Sequence, residues 1–279
     1  MDFSIFQFLA APFAASLIIA GIHAYLGVHV VERGVIFVDL SLAQIAALGS
    51  TIALLIPFMG EDPHGPWVHW SSMAFTFIGA AVFSFIKSRR ARIPQEAIIG
   101  ISYAVASAAT ILAMSKATAE SEHLKDMLVG NILAVSWDEV RSTALLYAAI
   151  GIFHYVFRRK FLAISLNHNG AETARPLSVH LWDFLFYASF GFVVTSSVSI
   201  AGVLLVFCYL IVPSVAAMLY AESVGRRLLI GWTMGTVVSA LGIYLSLRLD
   251  LPTGATMVCT FGLVLVLMAA LRPLLQRGA

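Results

Sequence analysis

Charged side chains are scarce in this sequence: only 11% of its 279 residues are Asp, Glu, Lys or Arg, whereas 60% are hydrophobic. Water-soluble domains usually carry about 25% charged residues. A chain of this length with so few charges cannot cover a water-facing surface, so lipid must be the solvent for most of it. The net charge of +2 is too small to indicate a nucleic-acid partner, and no basic cluster is interleaved with aromatic residues.

The motifs that commonly carry catalysis are also missing. There is no Gly-Lys-Ser/Thr phosphate loop, so we expect no ATP hydrolysis by this chain itself. Neither the His-Glu-x-x-His signature of zinc proteases nor the Gly-x-Ser-x-Gly elbow of serine hydrolases occurs. The two cysteines, Cys208 and Cys259, lie inside apolar runs, which argues against a disulfide framework. These absences argue against an enzyme, and we predict no cofactor of the chain's own.

Long apolar runs are what the sequence does contain. Their continuity differs from the alternating polarity of a β-barrel and predicts helices, which satisfy their own backbone hydrogen bonds in hydrocarbon. Nine runs approach the roughly 20 residues that a membrane span needs. They cover residues 5–31, 35–59, 69–87, 95–115, 139–157, 181–199, 202–220, 228–247 and 253–271. The prediction is an all-α, polytopic transmembrane bundle of about nine helices in one domain, 1–279, or of eight because two runs nearly touch at 199–202.

The basic residues predict the orientation of this bundle. If the loops after the first, third, fifth and seventh runs face the cytoplasm together with the C-terminus, that side receives thirteen of the 17 Lys and Arg residues. Cytoplasmic loops of membrane proteins carry such an excess of basic residues. We therefore predict that the N-terminus lies outside and the C-terminus inside.

Polar residues in the first two runs are the best candidates for a site, because ionisable groups inside a membrane are costly and commonly functional. The two runs form a predicted hairpin that turns near Gly34. His23 lies 11 residues before Gly34 and Gln44 lies 10 residues after it. Both are thus roughly 15 Å from the turn, near the bilayer centre, and Asp39 lies closer to the cytoplasm.

These three side chains suit a transition metal, since imidazole binds zinc and the later first-row metals, and oxygen ligands suit manganese. His23, Asp39 and Gln44 therefore predict a weak metal site on a transport path. A structural role is the alternative, in which His23 and Gln44 bond to neighbouring helices and Asp39 caps a helix or forms a salt bridge. Glu96 and Asp183, near the ends of apolar runs, are expected to be structural.

Two segments differ from the apolar runs. The stretch 128–136 is too short to span a bilayer, so we predict a short helix at the outer face within 120–137. A polar stretch on the predicted cytoplasmic side has Asn169 in position to cap a short helix that carries Glu172 at its third position. A partner protein could hold such a helix, and an ordinary solvated loop is the alternative.

Five segments, in order along the chain, resemble the permease subunits of bacterial ABC transporters for zinc, manganese and iron. They are residues 27–48, 96–101, 128–133, 202–217 and 246–254. The resemblance implies a subunit that spans the bacterial cytoplasmic (inner) membrane several times and moves a divalent transition metal, while ATP hydrolysis belongs to a separate subunit.

The resemblance also implies partners and site residues. The partners are a second permease, identical or homologous, two cytoplasmic ATP-binding subunits and an extracytoplasmic metal-binding protein. The family's cytoplasmic coupling helix falls at 167–178, which makes Asn169, Glu172 and Arg175 the expected ATPase contacts. Its intramembrane metal residues, an Asp and a His, match Asp39 and Gln44. Because Gln binds zinc poorly compared with imidazole, either the metal differs or His23 supplies the imidazole, and we favour His23.

Two other functions remain alternatives. An ion-coupled secondary transporter could use Asp39, and it would work without an ATP-binding partner. A haem-bearing membrane electron carrier could use His23, His29 or His154 as ligands, and the purified protein would then show a Soret band.

Overall fold

The computed structural model describes residues 3–58, 65–86, 94–114, 132–166 and 177–276. Over these residues the chain is helical throughout, with ten α-helices, one short 3-10 helix (Ile132–Ala134) and no strand. The helices are α1 (Phe3–Arg33), α2 (Val38–Leu54), α3 (Pro66–Ile86), α4 (Gln95–Met114), α5 (Trp137–Val156), α6 (Arg158–Leu166), α7 (Leu177–Ala201), α8 (Val203–Tyr220), α9 (Val224–Leu249) and α10 (Thr253–Gln276). The predicted all-helical class is confirmed.

Each of the nine predicted apolar runs coincides with a helix, namely α1 to α5 and α7 to α10. Among the described residues, seven helices are long and apolar enough to cross a bilayer, and α5 with α6, bent by 74° at a short break, would make an eighth. Helix α2 has 17 residues, fewer than the roughly 20 of a typical span, and is a shorter apolar helix. The chain is therefore a multi-pass membrane protein, while the count of nine and the orientation stay predictions.

The joint between the sixth and seventh runs is a break in the helix. Helix α7 ends at Ala201 and α8 begins at Val203, and Gly202 between them has φ 77°. Residues with a Cβ rarely adopt a positive φ, so glycine permits this break without strain. Both α7 and α8 are long and apolar enough to span the membrane separately.

Residue contacts divide the chain into two units, which we describe separately. The first comprises Met1–Val31, Asp126–Tyr155 and Ser197–Ala279, and the second comprises Glu32–Lys125 and Val156–Ser196. Three of the four unit boundaries fall inside α1, α5 and α7, and the fourth, at 125/126, lies outside the described residues. The single permease domain over 1–279 stays a prediction.

Close backbone packing characterises the first unit, in which α8, α9 and α10 pack against one another. Helix α1 approaches α8 so closely at Gly27 that a Cβ there would lie 2.0 Å from the carbonyl oxygen of Leu210. Small residues allow such approaches between membrane helices, where no hydrophobic effect drives association. Buried hydroxyl groups add hydrogen bonds, as between Tyr209 of α8 and Ser239 of α9 at 2.8 Å.

Helix α5, also in the first unit, begins with a local capping motif. The hydroxyl of Ser136 accepts a hydrogen bond from the Glu139 backbone N–H at 3.3 Å, and the Glu139 carboxylate accepts one from the Ser136 backbone N–H at 2.8 Å. This reciprocal pair is a capping box, which satisfies N–H groups that have no partner inside the helix. It fixes the start of α5 at Trp137.

In the second unit, α2 packs against both α3 and α4. The Ser71 hydroxyl of α3 donates to the carbonyl oxygen of Gly49 in α2 at 2.7 Å. The start of α2 is held from α4, because the Phe37 backbone N–H donates to the Glu96 carboxylate at 3.0 Å. These bonds hold α2, which carries Asp39 and Gln44, between its two neighbours.

Two predicted short helices fall largely outside the described residues. Of the outer-face segment 120–137, the structure describes the last six residues, which contain the 3-10 helix and the first residue of α5. Of the coupling segment 167–178, it describes the last two, which begin α7. Asn169, Glu172 and Arg175 lie outside the described residues, so their role stays a prediction.

Candidate functional site

His23 lies on α1 in the first unit and is fully buried. Its Nδ1–H donates to the carbonyl oxygen of Ile19 at 2.9 Å, because a carbonyl can only accept. In the neutral ring Nε2 then carries the lone pair, and this atom has no hydrogen-bond partner among the described residues. A backbone carbonyl that fixes Nδ1–H leaves Nε2 oriented as a metal ligand. His23 thus has the tautomer that the predicted site requires.

Asp39 lies in the first turn of α2, in the second unit, with 2% of its surface exposed. Its Oδ1 and the hydroxyl of Ser41 have no hydrogen-bond partner among the described residues. Neither the Arg33–Asp183 nor the Arg141–Asp138 salt bridge involves Asp39. Each unpaired buried polar atom costs free energy and calls for an explanation such as a ligand. Of the two structural alternatives for Asp39, capping a helix and forming a salt bridge, the salt bridge therefore has no partner among the described residues.

Gln44 is half-buried, five residues after Asp39 on the same helix. Five residues of α-helix turn the side-chain direction by about 140°, so Asp39 and Gln44 lie on different faces of α2. Within the described residues, no three His, Cys, Asp or Glu side chains lie close enough together to hold a metal ion. A site that combines Asp39 and the Gln44 amide with His23 of the other unit stays a prediction.

Glu96 is the residue that positions the start of α2. Its Oε1 accepts the Phe37 backbone N–H, and Phe37 is the N-cap residue of α2. A carboxylate at a helix N-terminus also interacts favourably with the helix dipole. The expectation that Glu96 is structural agrees with this contact, and Glu96 thereby acts on the helix that carries Asp39.

Arg33 occupies a position that the sequence pattern did not indicate. From the sequence it is expected among the basic residues of a cytoplasmic loop, whereas in the structure it is the last residue of α1 and only 1% of its surface is exposed. Its Nη1 lies 2.7 Å from Oδ1 of Asp183, and its Nε donates to the Ser165 hydroxyl at 2.8 Å. The guanidinium carbon lies 3.9 Å above the centre of the Phe186 ring. We call Arg33, Ser165, Asp183 and Phe186 the Arg33 cluster.

The helix that carries Asp183 is tied to three further elements of the second unit. His180 Nδ1–H donates to the carbonyl oxygen of Ser84 in α3 at 3.0 Å. The side-chain amide of Gln95 in α4 donates to the Tyr187 hydroxyl at 3.2 Å. Phe161 of α6 contacts the Phe186 ring, with 6.1 Å between centroids. The first turns of α7 are therefore fixed by α1, α3, α4 and α6 together.

A second aromatic and polar group lies in the first unit. The Tyr25 ring meets His29 edge-on at 4.8 Å, and the Tyr25 hydroxyl lies 3.3 Å from Nδ1 of His154. Both histidines are 1% exposed. His154 lies near the end of the predicted apolar run 139–157, and the structure buries it. The group joins α1 to α5 within this unit.

Comparison with known proteins identifies the family. Residues 5–272 match the ABC 3 transport family, and the chain belongs to it. It is 28% identical to the manganese transport system membrane protein MntC of Listeria innocua over 65% of this chain and 67% of that protein. It is 22% identical to the manganese import system permease protein ScaB of Streptococcus gordonii over 96% of this chain and 92% of that protein.

Further likenesses agree with that assignment. The chain is 22% identical to the chelated iron transport system membrane protein YfeC of Yersinia pestis over 91% of this chain and 82% of that protein. The fold is similar to that of PsaBC from Streptococcus pneumoniae, with a TM-score of 0.75 and 22% identity over 94% of this chain and 91% of that one. The predicted transport subunit of a metal ABC transporter family, not itself an enzyme, is confirmed.

Proposed function

We propose that this chain is the membrane-spanning subunit of an ABC importer that carries a divalent transition-metal ion across a bacterial cytoplasmic membrane. The match to the ABC 3 transport family across residues 5–272 carries this proposal. The named relatives are manganese and iron transport proteins, which supports one of these two ions as the cargo. Zinc is the competing ion, since late first-row metals bind imidazole well.

The proposed path passes His23, Asp39 and Gln44. His23 offers an unpartnered Nε2 and Asp39 an unpartnered Oδ1, both buried inside apolar helices. Two oxygen ligands and one imidazole suit manganese or iron, and they form a weaker set than several imidazoles or thiolates would. Weak binding fits transport, because an ion that is held tightly leaves slowly.

Energy for transport comes from partner subunits, because this sequence contains no phosphate loop. We propose a second permease, two cytoplasmic ATP-binding subunits and an extracytoplasmic metal-binding protein as partners. Residues 167–178 are the proposed coupling segment, with Asn169, Glu172 and Arg175 in contact with the ATP-binding subunits. These contacts would convert ATP binding and release into movement of the spans.

The test is uptake by the complete complex in liposomes, with ATP inside and the metal-loaded binding protein outside. Mass spectrometry measures internal manganese, iron and zinc when all three are offered together. We expect ATP-dependent uptake of manganese or iron in excess of zinc. Uptake without ATP or ATP-binding subunits would indicate a secondary transporter, and no uptake of any of the three metals would refute the proposal.

The residue assignment is tested in the same assay with His23→Ala and Asp39→Ala. The matched controls are His69→Ala and Asp138→Ala, because both residues are exposed on helices of the same protein. We expect the two buried variants to lose most uptake and the two controls to keep it. Equal transport by all four variants would show that the ion does not use His23 or Asp39.

A further inference from the structure

We infer that Arg33 is a positioning residue for energy coupling, because it fixes together the two helices that flank the proposed coupling segment. Helix α6 ends at Leu166, directly before that segment, and α7 begins at Leu177 within its last two residues. Arg33 bonds to Ser165 on α6 and to Asp183 on α7. The inference rests on the proposed function, since coupling has meaning only if ATP-binding subunits drive this chain.

The geometry of the guanidinium allows one side chain to hold both helices. Its nitrogens donate in fixed, different directions, so Nε reaches Ser165 at 2.8 Å while Nη1 reaches Asp183 at 2.7 Å. Ser165 lies in the last turn of α6, and Asp183 lies in the second turn of α7. A push on the segment between these two helices therefore moves them as one body, instead of separating them.

Burial makes this connection stiff. Neither side chain of the Arg33–Asp183 pair is exposed, and the Phe186 ring covers one face of the guanidinium at 3.9 Å. A fully buried ion pair opens rarely, because opening leaves an uncompensated charge in an apolar environment. Exposed ion pairs contribute little to stability, because water and salt screen their charges.

The connection continues from the Arg33 cluster to the helix that carries Asp39. Arg33 ends α1, and only residues 34–37 separate it from α2. Gln95 of α4 donates to Tyr187 on α7, and the next residue, Glu96, holds the Phe37 N–H at the start of α2. Packed side chains and hydrogen-bond networks of this kind carry energetic coupling between distant sites. Movement of α7 thus reaches α2 by two routes within the second unit.

A role in folding alone would also explain a buried ion pair, so the experiment must separate coupling from assembly. The complete complex is reconstituted in liposomes, and metal uptake and ATP hydrolysis are measured on the same sample. The readout is the number of metal ions moved per ATP hydrolysed. Assembly with the ATP-binding subunits is followed by size-exclusion chromatography, which a defect confined to coupling leaves unchanged.

Three variants probe the Arg33 cluster. Ser165→Ala removes the bond to α6 and leaves the buried ion pair, so it carries little risk of misfolding. Arg33→Lys keeps the charge opposite Asp183 but loses the second donor direction. Arg33→Met combined with Asp183→Leu removes both charges of the pair together, so neither member of the pair is left without the other.

The matched control is Arg141→Met combined with Asp138→Leu. This pair also joins an Arg Nη1 to an Asp Oδ1, at 3.3 Å, but its side chains are 74% and 92% exposed. We expect the control to keep the wild-type ratio of metal to ATP. The double variant of the Arg33 cluster should assemble and hydrolyse ATP while the ratio falls by about fivefold or more, with smaller falls for Ser165→Ala and Arg33→Lys.

Unchanged ratios in Ser165→Ala and Arg33→Lys would overturn the inference, whether or not the double variant assembles. Wild-type complex that moves no metal would instead refute the proposed function. If the wild-type complex transports metal and the variants move as many metal ions per ATP as the wild type, only the role of Arg33 is refuted.

Discussion

Nη1 of Arg33 lies 2.7 Å from Oδ1 of Asp183, although 150 residues separate them in the sequence and neither side chain is exposed. A pair of this kind makes removal of one partner more damaging than removal of both, because a single substitution leaves a buried charge unpaired. The same two residues therefore allow a test of stability that is independent of transport.

We expect Asp183→Leu alone to lower the free energy of unfolding by about 3–5 kcal/mol, because the Arg33 guanidinium loses its buried counter-charge. Adding Arg33→Met should recover much of that loss. Equilibrium unfolding of the purified chain in detergent micelles measures both. Asp138→Leu, which removes an exposed partner, is the control and should leave stability unchanged. A double variant as unstable as Asp183→Leu would contradict this account.

Gly27→Ala should weaken the contact between α1 and α8. The new Cβ would lie 2.0 Å from the Leu210 carbonyl oxygen and 2.3 Å from the Ser214 hydroxyl oxygen. The carbonyl oxygen belongs to the backbone of α8, so it cannot rotate away as a side chain could. Overpacking of this kind typically costs about 1–3 kcal/mol, which a lowered melting temperature in detergent would reveal.

Gly21→Ala is the control for that substitution, because Gly21 lies on the same helix and a Cβ there meets nothing within 4 Å. Alanine favours a helix over glycine by about 1 kcal/mol. The melting temperature of Gly21→Ala should therefore equal or exceed that of the wild type. Equal losses in both variants would mean that α1 and α8 do not pack as described.

Glu96→Ala should loosen the start of α2. The Phe37 N–H donates to the Glu96 carboxylate at 3.0 Å, and a hydrogen bond to a charged group contributes about 1.5–3 kcal/mol. Hydrogen–deuterium exchange by mass spectrometry should show faster exchange in peptides that cover residues 35–40. Glu96→Gln keeps a carbonyl acceptor and should exchange at an intermediate rate, while unchanged exchange in Glu96→Ala would show that this bond does not hold α2.

Gln44→His should shift metal preference if His23 supplies the one imidazole of the proposed site. A second imidazole strengthens binding of zinc more than that of manganese, which prefers oxygen ligands. We expect more zinc retained by the purified complex and slower manganese uptake, both measured by mass spectrometry. Gln44→His combined with His23→Ala returns the number of imidazoles to one and should bring both values back towards those of the wild type. Identical metal content in all three proteins would count against His23 and Gln44 as ligands.

The membrane architecture could be predicted from the sequence because its cause is local. Hydrocarbon requires each span to satisfy its own backbone hydrogen bonds, so a continuous apolar run specifies a helix before any tertiary contact forms. Two helix boundaries also have local causes, which the structure shows. Ser136 and Glu139, three residues apart, form the capping box at the start of α5. Gly202, with its positive φ, separates α7 from α8.

The candidate site could be predicted only in part. The residue types and their depth in the membrane point to His23 and Asp39. Nε2 of His23 is available only because the other ring nitrogen, Nδ1, bonds to the carbonyl oxygen of Ile19. That bond is a property of the folded helix. Glu96 appears in the sequence as an acidic residue at the end of a run. That it holds the first turn of α2 follows only from the packing of α4 against that helix.

The sequence by itself determined that this chain is a bundle of apolar helices in lipid, and its ordered motifs indicated the transporter family. Only the tertiary structure decided the place of Arg33, which charge counting assigns to a loop and which the fold buries between Ser165 and Asp183. The physical reason is the range of the interactions. Helix formation depends on neighbours within about four residues, whereas the partners of a buried charge are selected by the packing of helices that lie 132 and 150 residues apart in the chain.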